Sequence, residues 1–253
     1  MIYIKTEREI ELMRRAGIVV GSLLHHLVKR LRPGMKTKAL DAEARTFLRE
    51  HGVQPAFVGY RGYPASICVS VNEEVVHGIP GSRELRDGDI VSIDAGAQFK
   101  GYFADAATTA TIGPASPAAR RLMTATRRAL EAGIAQARVG RRLSDISHAV
   151  QRVIDQEGFG IVRDFVGHGI GRAIHEDPPI PNFGPPNTGP RLKAGMVLAI
   201  EPMVTLGSPD VQILSDGWTA VTCDGSVAAH YEHTVGITDS GAQILTDAHD
   251  TER

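Results

Sequence analysis

The sequence predicts an α+β protein made of two related halves, and two observations lead to this fold class. Segments with the roughly 3.6-residue period of amphipathic helices alternate with short β-branched runs that Gly, Pro and Asp-Gly pairs delimit. The segments 85–94 and 192–201 also share a leucine, a glycine, an isoleucine and a final carboxylate at matching positions, 107 residues apart. We therefore predict one domain over 1–253 with an internal repeat, whose halves are roughly 1–113 and 114–253. Chance similarity between two helix-strand units is the alternative.

Two helices open the first half. Thr6 and Glu9 have the spacing of a capping box, which predicts a helix over about 7–31. Pro33 and the glycine after it stop this helix. Thr37 is then predicted to cap a second helix that Gly52 ends, and a β-like run follows at 66–71.

A β-hairpin with two aspartates follows these helices. Asp94 and Asp105 flank the turn-like stretch 98–101 at equal distances from a centre between Phe99 and Lys100. That centre predicts that the two carboxylates lie directly opposite each other, where like charges are destabilising. A divalent cation would turn the repulsion into a pair of ligands. The alternative is a hairpin that carries two solvated acids.

Two further helices open the second half. Ser116 and Pro117 predict the start of a third helix, and Ser144 is predicted to cap a fourth helix that ends at Gly158. The glycines that precede and follow the second and fourth helices recur 106 residues apart, as Gly34 and Gly140 before them and Gly52 and Gly158 after them.

Two glutamates belong to the C-terminal strands. Glu201 ends an apolar strand just before Pro202, and Glu232 precedes the strand 235–238. Two Asp-Gly turn signals, at 216–217 and 224–225, predict an antiparallel meander between the glutamates. Such a sheet can bring them together, although the competing turns leave its register open.

Three histidines complete the set of candidate site residues. His168 lies between glycines that let the backbone approach closely. His77 and His175 lie in loop-like segments, where a satisfied core or surface imidazole is one interpretation. Beside a metal site, both become candidate donors to a carbonyl oxygen or a tetrahedral intermediate.

The chemistry of these side chains indicates a site for hard cations. Four carboxylates and one imidazole would be neutralised by two divalent ions, which can share a water, lower its pKa and support hydrolysis. Cys68 and Cys223 form no Cys-x-x-Cys pair, so a zinc-thiolate site and a disulfide framework are excluded. Cys223 is predicted to be a buried free thiol.

Composition limits the classes of partner. The chain has 28 basic and 29 acidic side chains, so long-range attraction to nucleic acid or to an anionic membrane is not expected. Its apolar runs are all shorter than the roughly 18 residues of a membrane span, and its first residues are charged. We therefore expect a cytosolic protein.

The motifs resemble those of type I methionine aminopeptidases, which are pita-bread metallopeptidases of peptidase family M24, subfamily A, over about residues 4–245. They are Gly59-Tyr-Arg-Gly-Tyr-Pro64, Ser70-Val-Asn-Glu-Glu-Val-Val-His-Gly-Ile-Pro80, Gly167-His-Gly-Ile-Gly-Arg172, Ile200-Glu-Pro-Met203, Asp216-Gly-Trp218 and Tyr231-Glu-His-Thr234. The resemblance implies a bacterial-type catalytic domain with the pita-bread (creatinase/aminopeptidase) fold. In that fold two pseudo-twofold related αβ halves share a central curved antiparallel sheet with helices on its outer face.

The resemblance also implies an activity and a ligand set. The enzyme would remove the initiator methionine from nascent proteins whose second residue is small and uncharged, with two divalent ions such as cobalt, manganese or iron(II). Asp94 would be a bidentate ligand of one ion, Asp105 and Glu232 would bridge both, and His168 and Glu201 would bind the other.

Catalytic and substrate-binding roles follow from the same resemblance. A metal-bridged hydroxide would attack the scissile carbonyl, with Glu201 as the proton shuttle and His175 steadying the intermediate. His77 and His175 would bind substrate. The remaining members of the methionine pocket would be Tyr60, Tyr63, Cys68 and Trp218. The implied partners are nascent polypeptide N-termini at the ribosome, and the implied state is a monomer.

Two positions depart from the family pattern. Phe57 stands where relatives often carry a cysteine, and Ile174 stands where a phenylalanine is common. Both are expected to border the pocket and to affect its width. Two other functions remain as alternatives: another pita-bread peptidase, such as a prolidase or a proline-specific aminopeptidase, and an inactive binding module with the same fold.

Overall fold

The structure is a computed structural model, in which residues 1–248 are described. Its helices are α1 (Glu7–Arg30), α2 (Thr37–Glu50), α3 (Pro117–Gln136), α4 (Leu143–Glu157) and a 3₁₀ turn at Tyr60–Gly62. Its strands are β1 (Gln54–Pro55), β2 (Ile67–Val71), β3 (Glu74–Val76), β4 (Ile90–Phe99), β5 (Tyr102–Thr111), β6 (Gly160–Ile161), β7 (Gly167–Gly169), β8 (Glu176–Ile180), β9 (Val197–Ile200), β10 (Met203–Thr205), β11 (Val211–Ile213), β12 (Ala220–Thr222), β13 (Ala228–His230), β14 (Glu232–Thr238) and β15 (Gly241–Ile244). None of these helices is long and apolar enough to cross a membrane.

A nine-stranded antiparallel sheet forms the centre of the fold. Its strand order is β1-β4-β5-β14-β9-β7-β8, with β2 beside β4 and β15 beside β14. The apolar faces of α1 and α2 pack on the strands of the first half, where Leu23 and Leu40 meet Ile93. In the second half α3 and α4 pack on β9 and its neighbours, where Leu130 and Ile146 meet Ile200. The sheet therefore joins both halves through the pair β5 and β14.

The two halves repeat the same bonds at the start of their second helix. The Gly34 N–H donates to the Leu85 carbonyl at 2.8 Å, and the Gly140 N–H donates to the Leu192 carbonyl at 3.0 Å. Both glycines have left-handed φ, 79° and 88°. These matched contacts support the predicted duplication, while the division at residue 113 and the single-domain organisation stay predictions. Residues 249–253 of the second half lie outside the described residues.

Two of the predicted helix caps are confirmed. The Thr6 hydroxyl accepts the Glu9 N–H, and the Glu9 carboxylate accepts the Thr6 N–H, which together make the capping box of α1. The Ser116 hydroxyl accepts the Ala119 N–H at the start of α3, and proline occupies the first helical position.

The other two predicted caps are wrong. Thr37 and Ser144 lie inside the first turns of α2 and α4, and neither hydroxyl bonds to its own helix. The Thr37 hydroxyl exchanges hydrogen bonds with the backbone of Gly81, and the Ser144 hydroxyl does the same with Thr188. These hydroxyls therefore tie each helix to a distant loop, which the local pattern cannot show.

The predicted register of the β4–β5 hairpin is also wrong. Asp94 lies opposite Ala107, and Asp105 lies opposite Gly96. The two aspartates are therefore diagonal neighbours rather than direct partners. A shift by two positions leaves both side chains on the same face of the sheet, because strand side chains alternate with a period of two.

The turn explains this register. Phe99 pairs with Tyr102, so the loop consists of Lys100 and Gly101 alone. Both have positive φ, 50° and 84°. Two-residue hairpin turns with positive φ at both positions match the twist of the flanking strands, and a glycine adopts that φ without strain. The centre of the turn therefore lies between Lys100 and Gly101, one residue later than predicted.

The prediction of a C-terminal meander is correct at only one of its two turns. Asp216 and Gly217 connect β11 to β12, which pair as a hairpin. At Asp224 and Gly225 the chain passes from β12, which pairs with β3, to β13, which pairs with β10. Cys223 lies at this passage and is exposed, so the prediction of a buried thiol there is wrong.

Candidate metal centre and substrate cavity

One cavity of about 260 Å³ contains every predicted site residue. Its lining includes the five candidate metal ligands, the two candidate substrate histidines, the other four candidate pocket residues and two side chains not predicted to take part in the chemistry. They are Asp94, Asp105, His168, Glu201, Glu232, His77, His175, Tyr60, Tyr63, Cys68, Trp218, Phe57 and Arg61.

The register of the sheet brings the carboxylates together. Glu232, the first residue of β14, lies opposite Ala107, which itself lies opposite Asp94. Directly paired residues share a face of a sheet. On its other side β14 pairs with β9, where His233 lies opposite Ile200. The next residues in this register, Glu232 and Glu201, therefore lie beside each other. The predicted approach of the two glutamates is therefore confirmed, and the open register is settled.

His168 reaches the same face from β7. It pairs with Ala199, two residues before Glu201 on β9. Its Nε2 lies 3.6 Å from Asp105 Oδ2 and 3.4 Å from Glu201 Oε1. One ligand atom each from Asp105, His168 and Glu232 lie within 4.8 Å of one another. This separation suits atoms that surround a common cation at ordinary metal-ligand distances.

A hydrogen bond fixes the tautomer of His168. Its Nδ1 lies 2.9 Å from the carbonyl oxygen of Gly169, which can only accept a hydrogen bond. Nδ1 therefore carries the hydrogen, and Nε2 presents a lone pair toward the carboxylates. Burial lowers the pKa of His168 to about 4, so the ring is neutral at pH 7. A neutral ring with a fixed tautomer is the form in which histidine binds metals.

The carboxylates are buried in a way that favours a cation. Burial and the nearby Asp105 raise the pKa of Asp94 well above its ordinary value, and burial also raises the pKa of Asp105 to about 6. Burial, with repulsion from Asp105, raises the pKa of Glu201 and of Glu232. One oxygen of Asp94, Oδ1, has no hydrogen-bond partner. The residues therefore fit hard divalent ions, which satisfy such oxygens and offset their repulsion.

Two residues beside the ligands were missed by the sequence analysis. The Thr234 hydroxyl accepts the Asp105 N–H at 3.0 Å and lies 3.1 Å from Asp105 Oδ1. His230 Nε2 lies 3.5 Å from Glu201 Oε2, and burial lowers the pKa of His230 to about 3. Thr234 is two positions from Glu232 on β14, the spacing that puts strand residues on one face, and this spacing was the available signal. His230 ends β13, a strand of a different sheet, so no local pattern indicated its contact with Glu201.

The two candidate substrate histidines flank the carboxylates. His77 directly follows β3 with a φ of 61°, and its ring meets the Trp218 ring edge-on at 6.2 Å. His175 directly precedes β8, stacks on Tyr60 at 5.1 Å and lies 4.2 Å from the His168 ring. Burial lowers the pKa of both His77 and His175 to about 4, so each neutral ring has one donor and one acceptor nitrogen.

Another part of the cavity wall is apolar and adjoins the ligands, since Cys68 lies directly opposite Asp94. Tyr63 and Cys68 are 3% and 4% exposed and pack together with Trp218. The Tyr63 hydroxyl bonds with the carbonyl oxygens of Gly78 and Ile67, at 3.0 and 3.2 Å. Burial raises the pKa of the Cys68 thiol, which is therefore protonated and apolar in character.

Of the two departures from the family pattern, one lines this cavity. Phe57 is part of its wall, as expected. Ile174 is not part of the lining; it is buried directly behind it, in a cluster with Ile170 and Val197 against which Phe57 and Tyr60 pack, so its effect on the width of the pocket stays a prediction. Its backbone precedes His175, and the side chain points into this cluster rather than into the cavity.

Comparison with known proteins agrees with this site. The sequence model of metallopeptidase family M24 matches residues 11–239. Methionine aminopeptidase 1 of Bacillus subtilis is 53% identical over 246 residues, which cover 97% of this chain and 99% of that protein. The crystal structure of methionine aminopeptidase from Thermotoga maritima has a TM-score of 0.96 and 48% identity, over 97% of this chain and 99% of the other.

A prolidase from Pyrococcus furiosus has the same fold at a lower sequence identity. It has a TM-score of 0.79 and 24% identity, and this chain covers 66% of its length. A likeness at that level shows the fold alone. The half-barrel sheet with its helices is the pita-bread fold, as the motifs implied. With both the motifs and the full-length relatives in agreement, the chain belongs to metallopeptidase family M24 and, within it, to the type I methionine aminopeptidases.

Proposed function

We propose that this chain releases the initiator methionine from protein N-termini whose second residue is small and uncharged. The observation that carries the proposal is a single cavity lined both by the candidate metal ligands and by an apolar group made of Tyr63, Cys68 and Trp218. Cys68 lies directly opposite Asp94 on the neighbouring strand, so the two parts of the wall adjoin. A side chain held against the apolar group therefore places the adjoining peptide bond beside the carboxylates.

The metal centre is proposed to hold two divalent ions. Asp94 would bind one ion, His168 and Glu201 the other, and Asp105 and Glu232 both. The order of the strands supports this division, because Asp94 and His168 come from opposite sides of the central pair β5 and β14. When bound, such ions polarise a carbonyl oxygen and lower the pKa of a water. Cobalt, manganese and iron(II) all suit oxygen ligands with one imidazole.

Glu201 is proposed to carry the proton between the attacking water and the leaving amine. Its carboxylate is buried among the other candidate ligands, and burial raises its pKa in the metal-free fold. His230 and His168 flank its two oxygens. Glu201 is thus held in place while it exchanges a proton.

His175 and His77 are proposed to bind the substrate backbone. Stacking on Tyr60 fixes the plane of the His175 ring beside the carboxylates. A neutral ring in this position donates to the oxygen that gains negative charge as the scissile carbonyl becomes tetrahedral. His77 lies across the cavity against Trp218 and donates to the substrate between the methionine pocket and the metal centre.

The methionine side chain is proposed to lie among Tyr60, Tyr63, Cys68 and Trp218. Aromatic faces and a protonated thiol make favourable contacts with a thioether, and an unbranched side chain fits a narrow apolar slot. The Phe57 ring is packed against β4 so closely that a Cβ at Gly96 would lie 2.7 Å from it. Phe57 is therefore a rigid part of the wall, which narrows the pocket relative to a cysteine.

A peptide assay tests the whole proposal. Metal-free protein is supplied with cobalt, manganese or iron(II) and incubated with Met-Ala-Ser, Met-Leu-Ser and Ala-Pro-Ser peptides. We expect release of methionine from Met-Ala-Ser only, and from no peptide before metal is added. Cleavage of the Ala-Pro bond would support a proline-specific peptidase instead. Absence of hydrolysis with all three metals would support a binding module.

We also propose that the substrates are nascent chains at the ribosome in the cytoplasm, and that the protein acts as a monomer. The cavity of a single chain already contains every candidate ligand and pocket residue, which supports the proposal of a monomer. Light scattering should give a mass near 27.2 kDa. A mass twice as large would contradict the proposed monomer. Co-sedimentation with translating ribosomes tests the site of action, and complete absence of the protein from the ribosome fraction would contradict it.

A further inference from the structure

A further imidazole, that of His230, lies beside Glu201 but is not part of the cavity lining. His230 is 2% exposed, and its Nε2 is buried without a hydrogen-bond partner. The nearest acidic oxygen is Glu201 Oε2, at 3.5 Å. A buried polar nitrogen without a partner is costly in a native protein. A small movement of either side chain would close the gap to hydrogen-bond distance.

The two oxygens of Glu201 face two different histidines. Oε1 lies 3.4 Å from His168 Nε2, and Oε2 lies 3.5 Å from His230 Nε2. His168 presents a lone pair at Nε2, because its Nδ1 donates to Gly169. Two lone pairs that face each other suit a cation between them. On the other side, an N–H at His230 Nε2 would meet Oε2 directly and favourably.

The backbone of His230 is fixed on both of its polar groups. Its N–H donates to Thr109 Oγ1 at 2.9 Å, and its carbonyl accepts from the same hydroxyl at 2.7 Å. Ser92 Oγ lies 2.8 Å from that hydroxyl, and Tyr231 donates to the Thr109 carbonyl. The ring is therefore carried on an anchored strand, while the Glu201 carbonyl is held by the side-chain amide of Asn182.

We propose that His230 is a positioning residue, whose ring donates Nε2–H to Glu201 Oε2 and so leaves Oε1 as the ligand atom. The proposal rests on the proposed role of Glu201. Partners of this kind keep a metal-binding carboxylate in one orientation, and their loss typically costs about 10- to 100-fold in metal affinity or activity. His230 itself contacts neither substrate nor metal in this arrangement.

Three variants separate this role from a structural one. His230→Gln keeps an N–H donor, and His230→Leu removes it at similar volume. His233→Leu is the matched control, because His233 is the next histidine along the chain, lies on the opposite face of β14 from Glu232 and bonds to Thr246. Each metal-free protein is titrated with manganese by calorimetry, and kcat and KM are measured on Met-Ala-Ser.

We expect His230→Leu to weaken manganese binding and to lower kcat by about 10- to 100-fold, with KM and the number of binding sites nearly unchanged. The manganese affinity and kcat of His230→Gln and His233→Leu should stay within about threefold of the wild-type values. Wild-type affinity and kcat in His230→Leu would overturn the proposal. Loss of one equivalent of metal in both His230 variants would also overturn it, since His230 would then be a ligand.

A measurement on the wild-type protein covers the case in which His230→Leu does not fold. Long-range ¹⁵N–¹H correlation of the metal-free protein reports which ring nitrogen carries the hydrogen. We expect His230 to carry it on Nε2 and His168 on Nδ1. A hydrogen on Nδ1 of His230 would refute the proposal. Neither this measurement nor the titration depends on peptide cleavage, so a failed proposed function would be recognised separately, by absence of hydrolysis in the wild type.

Discussion

Lys5 and Glu176 form an ion pair that the fold shields from solvent, with Nζ 2.7 Å from Oε2 and the side chains 5% and 7% exposed. The other oxygen of Glu176 accepts the N–H groups of Arg172 and Ala173, at 2.7 and 3.3 Å. These contacts fix the loop that ends at His175. The N-terminal segment therefore helps to hold a substrate-binding residue in place.

Removal of Lys5 should be severely destabilising. Lys5→Met leaves the Glu176 charge buried without its partner, which typically costs about 3–5 kcal/mol in the free energy of unfolding. The control is Arg127→Met, which breaks an exposed pair with Glu131 and should cost less than about 1 kcal/mol. Urea unfolding measures both. Adding Glu176→Gln to Lys5→Met should restore part of the lost stability. Equal losses in Lys5→Met and Arg127→Met would contradict the prediction.

Substitution in the hairpin turn should test the backbone that sets the register. At Gly101→Ala the added methyl meets nothing within 4 Å, so the cost comes from the φ of 84° alone. We expect about 1–2 kcal/mol lower stability. Gly81→Ala is the control, since its φ is not left-handed and its nearest contact is 3.7 Å away. Thermal unfolding compares the two, and an equal effect of both would show that the turn conformation is not responsible.

Metal should stabilise the protein more at pH 7.5 than at pH 5.5. The pKa of Asp105 is about 6 in the metal-free fold, above the roughly 3.9 of an unfolded chain. Between these values the native state holds more protons than the unfolded state, so the stability of the metal-free protein falls as pH rises through this window. Bound metal would offset this loss of stability at pH 7.5. At pH 5.5 protons compete with the metal for the carboxylates, so the gain is smaller. Scanning calorimetry with and without manganese measures the gain in Tm, and equal gains at both pH values would be the contrary result.

Truncation of His175 should separate catalysis from metal binding. His175→Ala removes the proposed donor to the tetrahedral intermediate, and loss of one such donor typically lowers kcat by about 100- to 1,000-fold. The metal content should be unchanged. His51→Ala, at an exposed histidine that bonds to the carbonyl of Phe47, is the control. Metal analysis and kcat on Met-Ala-Ser test this prediction. Loss of metal in His175→Ala would show instead that His175 is a metal ligand.

The aspartate hairpin shows how far the sequence carries a prediction of the site. The carboxylates, the turn and the shared face followed from residue types and from a period of two. The register did not, because it depends on which two residues take left-handed φ, and here these are Lys100 and Gly101. The error was harmless to the site, since a shift by two positions preserves the face.

Long-range partners account for most of the other differences. Thr37 and Ser144 were assigned to helix caps, yet their hydroxyls bond to loops 44 residues further along the chain. The contact of His230 with Glu201 likewise depends on how strands of the second half pair. Local patterns specify which residues are polar, capping or small, whereas partners across the sheet are set by tertiary packing.

Tyr63 limits the size of the side chain that the cavity can accept. Its hydroxyl bonds to the carbonyl oxygens of two separate backbone segments, which hold the ring in place. Because Cys68, packed beside Tyr63, lies directly opposite Asp94, this wall also limits how far the adjoining peptide bond can lie from the carboxylates. The depth of the pocket and the position of the cleaved bond therefore depend on the same residues.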